Sequence, residues 1–158
     1  MSRPIVSALL ATLVLALAAC SGGDGDAPTD VEYTQAVVTA IDRTDFALAR
    51  ITRAKSMDEL LQRMAEAEVA IAAAATDLEE HGASEAFVDE NEKLVKSLKA
   101  LGNDVGATAE QASQPGFESL LAGAAGLSFE NWDNVNLALG SLIGSGLDVQ
   151  TLQLQAGT

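Results

Sequence analysis

One thiol and one imidazole set the limits on the chemistry of this 158-residue chain: Cys20 and His81. A disulfide needs two cysteines and a thiolate zinc cage needs several, so neither forms within one chain. A c-type haem needs C-x-x-C-H, which is absent. A ferritin-like di-iron site needs Glu-x-x-His on two helices. Here the residue three before His81 is Leu78, and there is no second histidine. No G-x-S-x-G elbow or Gly-rich phosphate loop occurs. Ser/His/Asp catalysis would rest on His81 with no identifiable nucleophile. His81 falls in the last turn of an expected helix, where a cationic or polar group is favoured by the helix dipole. The residues therefore predict no catalytic group, no metal site and no cofactor.

Carboxylates are plentiful. Asp77, Glu79 and Glu80 cluster near one expected helix end, and Asp89, Glu90 and Glu92 near the start of the next. They read as solvated acidic faces; weak divalent-cation binding is the alternative, without an EF-hand loop to support it. The net charge of −14 and pI near 4.2 argue against nucleic acid as a partner, because phosphate binding needs basic side chains. Met57 and Met64 read as core. Asn91 lies on an apolar stripe, and Glu68 one residue past it; a buried Asn at such a position fixes helix register. The most distinctive polar stretch runs from Ser128 to Asn136. Trp132 and Asn136 lie one turn apart and are the candidate recognition pair. The structural alternative has Trp132 plugging the bundle end and Asn136 bonding a returning tail.

Cys20 is the most informative residue. Behind Arg3, Ile5 to Ala19 form an uncharged apolar run of 15 residues, short for a membrane-spanning helix and laid out like an export signal. The run ends in Leu17-Ala18-Ala19-Cys20, which resembles the lipobox of bacterial lipoproteins. That resemblance implies diacylglyceryl transfer to the Cys20 thiol, cleavage between Ala19 and Cys20, and acylation of the freed amine in many bacteria. Two acyl chains suffice for stable anchoring, each buried CH₂ contributing about 0.8 kcal/mol. Cleavage removes one base and no acid, taking the side-chain charge from −14 to −15. Anionic headgroups repel such a surface, so the lipid must hold the protein at the membrane. In some diderm bacteria the resemblance also makes the residue after the cysteine an address, and Ser21 is not the Asp that signals inner-membrane retention.

The elements behind this anchor are expected to be helical. Ser21–Asp30, SGGDGDAPTD, reads as a flexible tether with an r.m.s. span of about 17 Å. A first helix is predicted over Val31–Arg53, with Val37, Ile41, Thr44, Leu48 and Ile51 on one face. Ser56 and Glu59 form a capping-box pattern for a second helix ending near Gly82. Its stripe is Met57, Leu60, Met64, Ala67, Ile71, Ala74 and Leu78. Ser84 is the N-cap expected for a third helix, whose stripe runs Phe87, Asn91, Leu94, Leu98, Leu101, Val105, Thr108 and Ala112 and stops before Pro115. Gly102 and Gly106 weaken its middle but permit close approach of a neighbour. A short helix is expected over Phe117–Ala125, and another, capped by Ser128, ending near Gly144-Ser145-Gly146. Leu147, Val149 and Leu152 then read as an extended tail packed on the bundle, with a frayed end over residues 153–158.

The predicted fold is all-α: an antiparallel up-down four-helix bundle over residues 31–152, with its fourth helix broken. Its features are similar to those of uncharacterised Ala-rich secreted lipoproteins of actinobacteria. The shared elements are the lipobox, the helix junction at Arg53-Ala54-Lys55-Ser56, and Trp132…Asn136…Leu139 followed by Gly146-Leu147-Asp148-Val149. That resemblance implies architecture and location but no activity. The expectation is a non-enzymatic interaction domain with an envelope protein partner, lipid-anchored on the extracytoplasmic side of a membrane. That membrane is the outer face of the cytoplasmic membrane, or the outer membrane of a diderm host. The alternative is a carrier or sensor that binds a small ligand or a cation.

Overall fold

The structure, a computed structural model, describes residues 27–116 and 129–153. Among these it contains four α-helices, one 3-10 turn and no strand: α1 (Asp30–Ile51), α2 (Met57–His81), the turn at Glu85–Phe87, α3 (Val88–Ala112) and α4 (Phe129–Gly144). The all-helical bundle expected from periodicity is what forms. The expected helix over Phe117–Ala125, the expected Ser128 cap and the residues read as signal and lipidation site lie outside the described residues.

Helix α1 begins one residue earlier than its apolar stripe suggested. Thr29 accepts a hydrogen bond from the Glu32 N–H, and Glu32 accepts one from the Thr29 N–H at 2.9 Å, a reciprocal capping box. Asp30 is therefore helical rather than part of the tether, and α1 ends at Ile51, not Arg53. The Thr29 backbone N–H, then its hydroxyl, hold the Glu32 carboxyl below its ordinary value of 4.5.

At α2, Ser56 caps as expected by accepting from the Glu59 N–H. The reciprocal half differs: Glu59 accepts from the Lys55 N–H at 2.7 Å, one residue further back, while its other oxygen pairs with Arg63. The Lys55 N–H, then Arg63, lower the Glu59 carboxyl below its usual range. Helix α2 is closed by Gly82, whose φ of 75° is one that a residue with a Cβ rarely adopts.

The Ser84 cap is a correction. Its hydroxyl is buried with no hydrogen-bond partner among the described residues, and a 3-10 turn separates it from α3. That turn carries the Phe87 ring inward, where it stacks on Tyr33 with centroids 5.8 Å apart. The packing of this ring decides where α3 can begin, and it begins at Val88.

Contacts between helices fix their directions. Arg43 meets Asp77 at 2.5 Å and Arg50 meets Glu66 at 2.7 Å, so α1 and α2 run antiparallel. Lys99 meets Glu79 at 2.6 Å, and the Glu68 carboxylate lies against Gly106, so α2 and α3 do too. Asn131 donates to Asp104 at 2.6 Å, while Ser141 shares a groove with Lys93, which orients α4 against α3. These exposed pairs specify register more than they stabilise, since a surface ion pair contributes about 0–1 kcal/mol.

The core joins the expected stripes into one cluster. Val37 and Ile41 of α1, Ile71 and Leu78 of α2, Leu94 and Leu98 of α3, and Leu139 and Leu142 of α4 are all buried in it. Every residue of the predicted α3 stripe is buried. At Gly102, an added Cβ would stand 3.5 Å from the Glu68 carbonyl oxygen and 3.7 Å from the Ala72 nitrogen, so α3 comes close to the backbone of α2.

Two measurements check this packing and capping. Leu98→Ala leaves a hole in the centre and should lower unfolding stability by about 2–5 kcal/mol, whereas Leu137→Ala, at an exposed position, should stay within about 0.5 kcal/mol in urea melts. The second concerns pH. Because the Glu32 pKa is depressed in the fold, its contribution is complete above 4.5 and fades as pH falls through the lowered value. Glu32→Gln should therefore destabilise the protein at pH 7, and the difference from wild type should shrink as the pH is lowered below 4.

Candidate functional site

Three places bring together side chains able to do more than pack. The first is the seam between the start of α1 and the end of α2. Glu32, Thr39 and Arg43 of α1 line an open cleft of about 310 Å³ with Asp77 and His81 of α2, above a floor that includes Ala40 and Leu78. The cleft thus places His81 with the carboxylates of Asp77 and of Glu32, the latter 49 residues earlier. Arg43 is engaged with Asp77. The Thr39 hydroxyl donates to the Gln35 carbonyl of its own helix at 2.8 Å, not to the imidazole. His81 is exposed at the helix end, the position where a positive charge is favourable.

The second place is the Trp132–Asn136 turn of α4. Trp132 is half-buried and packs on the core cluster. Asn136 Oδ1 accepts the Leu152 N–H at 2.8 Å, so this side chain holds the returning tail. The neighbouring asparagines are tied as well: Asn131 donates to Asp104, and Asn134 donates to Asn131 Oδ1 at 3.3 Å. The expected recognition pair is placed together by the helix, but Asn136 has its carbonyl oxygen committed to the backbone of the tail.

That tail has a second anchor. The Gln153 N–H points at both oxygens of Asp45 on α1, at 3.0 and 3.3 Å. Burial pushes the Asp45 carboxyl up from its ordinary value; the Gln153 N–H opposes this, and the neighbouring Asp42 adds to it. Leu147, Val149 and Leu152 are buried beneath these two bonds. The tail thus links α4 to α1 and closes the side of the bundle that the helix-to-helix contacts leave to it. Hydrogen bonding extends to Gln153; residues 154–158 lie outside the described residues.

The third place is the buried pair Tyr33 and Asn91. The Tyr33 hydroxyl donates to Asn91 Oδ1 at 3.2 Å, and both residues are buried. Burial, then the nearby charge of Glu90, push the phenol far above its ordinary value, so it stays a neutral donor. Asn91 was legible as a polar residue on the core stripe. Tyr33 was not, because it lies one turn before the residues that defined the α1 stripe, and a partner 58 residues away leaves no local pattern.

Glu68 sits beside the core as its position suggested. Its carboxylate lies where a Cβ on Gly106 would be, 2.5 Å from that atom, so the glycine provides the space. Met64 is buried as core and Met57 half-buried. Among the described residues no group of three His, Cys, Asp or Glu side chains converges as metal ligands would. Asp77 and Glu79, two of the clustered carboxylates, are paired with Arg43 and Lys99. No described helix is long and apolar enough to cross a membrane. No protein-family model, curated protein or solved structure matches the chain.

Asn136→Ala should free the Leu152 N–H, lowering stability by about 1–2 kcal/mol and speeding amide hydrogen exchange at Leu152 and Gln153 more than at Leu98. Unchanged protection at Leu152 would mean that the tail is held by its buried leucines alone.

Proposed function

We propose that this chain is a lipid-anchored extracytoplasmic protein of the bacterial envelope, whose helical bundle is a non-enzymatic interaction domain. The observation that carries the reading is Leu17-Ala18-Ala19-Cys20 at the end of a 15-residue uncharged apolar run, at the one cysteine of the chain. The segment after the cysteine suits an anchor. Eight residues, SGGDGDAP, separate Cys20 from the Thr29 cap, enough for an r.m.s. span of about 16 Å. The domain would then ride close to the bilayer on two acyl chains, while its acidic surface is repelled by anionic headgroups.

Non-enzymatic action is supported by how the reactive groups are used. Acylation consumes the Cys20 thiol, and His81 faces a cleft whose hydroxyl and guanidinium already have partners. Recognition would fall to the bundle surface, where a partner from the envelope meets helix seams and the acidic faces between them.

Cys20→Ala in the full chain, expressed in a bacterium with lipoprotein processing, tests the anchor. Wild type should enter the detergent phase of a cloud-point partition, and the variant should move to the aqueous phase. A wild-type protein found in the aqueous phase with its first 19 residues still attached would defeat the reading. A crosslinking pulldown from intact cells then identifies the partner.

A further inference from the structure

We infer that the outer face of α4 is a self-association surface, through which two copies of this chain pack antiparallel about a two-fold axis at Leu137. Leu137 is 71% exposed. Asp133, Asn134, Gly140, Ser141 and Gly144 are exposed around it, at the three-, four- and seven-residue steps of one helix face. The buried residues Val135, Ala138, Leu139 and Leu142 take the opposite face. From Asn134 to Leu147 the chain carries no charge, its longest uncharged run behind the N-terminal apolar one. Two copies of net charge −14 repel over most of their surfaces, and this face is where they can approach.

The charges beside this face select a second copy as the occupant. Lys93 and Lys96 of α3 line a groove of about 400 Å³ with Leu137 and Ser141 of α4, and no carboxylate lines it. Lys93, Lys96 and Asp133 are exposed and have no ion-pair partner among the described residues. Asp133 lies four residues before Leu137 and Ser141 four residues after it, each about 6 Å away along the helix axis. A two-fold axis through Leu137 that reverses the helix sets Asp133 of one copy opposite Ser141 of the other, on the flank where the lysines stand. The pairing occurs twice, as a self-complementary interface requires, and Leu137 meets its own copy at the centre. An acidic peptide would satisfy the lysines and leave Asp133 facing like charge; a basic one would do the reverse. Gly140 fits the same arrangement. A glycine inside a helix weakens it. A Cβ on Gly140 meets nothing within 4 Å, unlike one on Gly102 or Gly106, so no contact among the described residues calls for glycine there. A second helix laid on this face does. One helix face and its flank make a small interface, so the dimer is weak and dissociated at the low micromolar concentrations of a urea melt.

The inference does not involve Cys20, so it and the lipid anchor can fail separately. The test is sedimentation equilibrium of the chain from Ser21 on, which keeps every residue of the core cluster, from about 10 µM to about 1 mM at low salt. Wild type should pass from monomer to dimer over this range. Asp133→Lys, and separately Lys93→Glu combined with Lys96→Glu, should each weaken dimerisation at least about tenfold. An equimolar mixture of these two variants should regain it, because opposite charges then face each other across the axis. The substituted positions are exposed, and circular dichroism melts check that each variant keeps its fold. Gly140→Gln should raise the melting temperature through better helix propensity and yet weaken association, a pair of effects that a purely structural role for the glycine does not produce. A wild-type chain that stays monomeric to about 1 mM overturns the proposal. So does a dimer that survives both charge reversals, or a mixture of the two variants that stays monomeric.

Discussion

Helix α2 packs against both α1 and α3 through a face made largely of alanine, and this close approach is the constraint on which the rest of the bundle depends. Ala67, Ala74 and Ala75 are buried there alongside Ile71 and Leu78. On the α3 side, Gly102 and Gly106 remove even the Cβ where the Glu68 carbonyl and carboxylate come nearest. Small side chains let helix axes sit near the low end of the usual 8–10 Å spacing. The interior is then filled by a few larger residues, Tyr33, Leu94, Leu98, Leu139 and Leu142, each fully buried.

Such packing displaces function to the edges. The clefts open along helix seams, and they are bordered by charged or amide side chains held by neighbours: Arg43 by Asp77, Lys99 by Glu79, Asn131 by Asp104. The tail obeys the same constraint. Helix α4 packs on α3, and the segment after Gly146 supplies Leu147, Val149 and Leu152 to the remaining side. Its backbone N–H groups find acceptors on Asn136 and Asp45, so an irregular segment can lie over a core without leaving these donors unsatisfied.

Much of this was legible from local pattern. The stripe from Phe87 to Ala112 marks the buried face of α3 residue by residue, and Ser56 and Gly82 mark the ends of α2, because caps and apolar periodicity are properties of a few adjacent residues. Thr29 was missed: T-x-x-E opens α1 as S-x-x-E opens α2, but the acidic, glycine-rich run before it drew this residue into the tether. Ser84 misled for the opposite reason: its type suits a cap, and the inward turn of Phe87 toward Tyr33 displaced the helix start. The contacts that build the sites span longer distances. Tyr33 finds Asn91 across 58 residues and Asp45 finds Gln153 across 108, and no local spacing encodes either. Asn91 could be flagged as a polar residue on the core stripe while its partner awaited the fold; for Asn136 the returning tail was the expected structural alternative, and Leu152 is where it bonds.

A tightly packed acidic bundle has little on its own surface to hold it at a membrane, so in the proposed reading that task falls to a lipid on Cys20. The seams would do the recognising, and the lipid would do the placing. Intact-mass spectrometry of the full chain expressed in a bacterium with lipoprotein processing addresses this proposal most directly. A lipid anchor at Cys20 predicts a chain that begins at that residue and carries the added mass of a diacylglyceryl group, with or without a third acyl chain. A chain that begins at Met1, or that begins elsewhere with an unmodified Cys20 thiol, would contradict it.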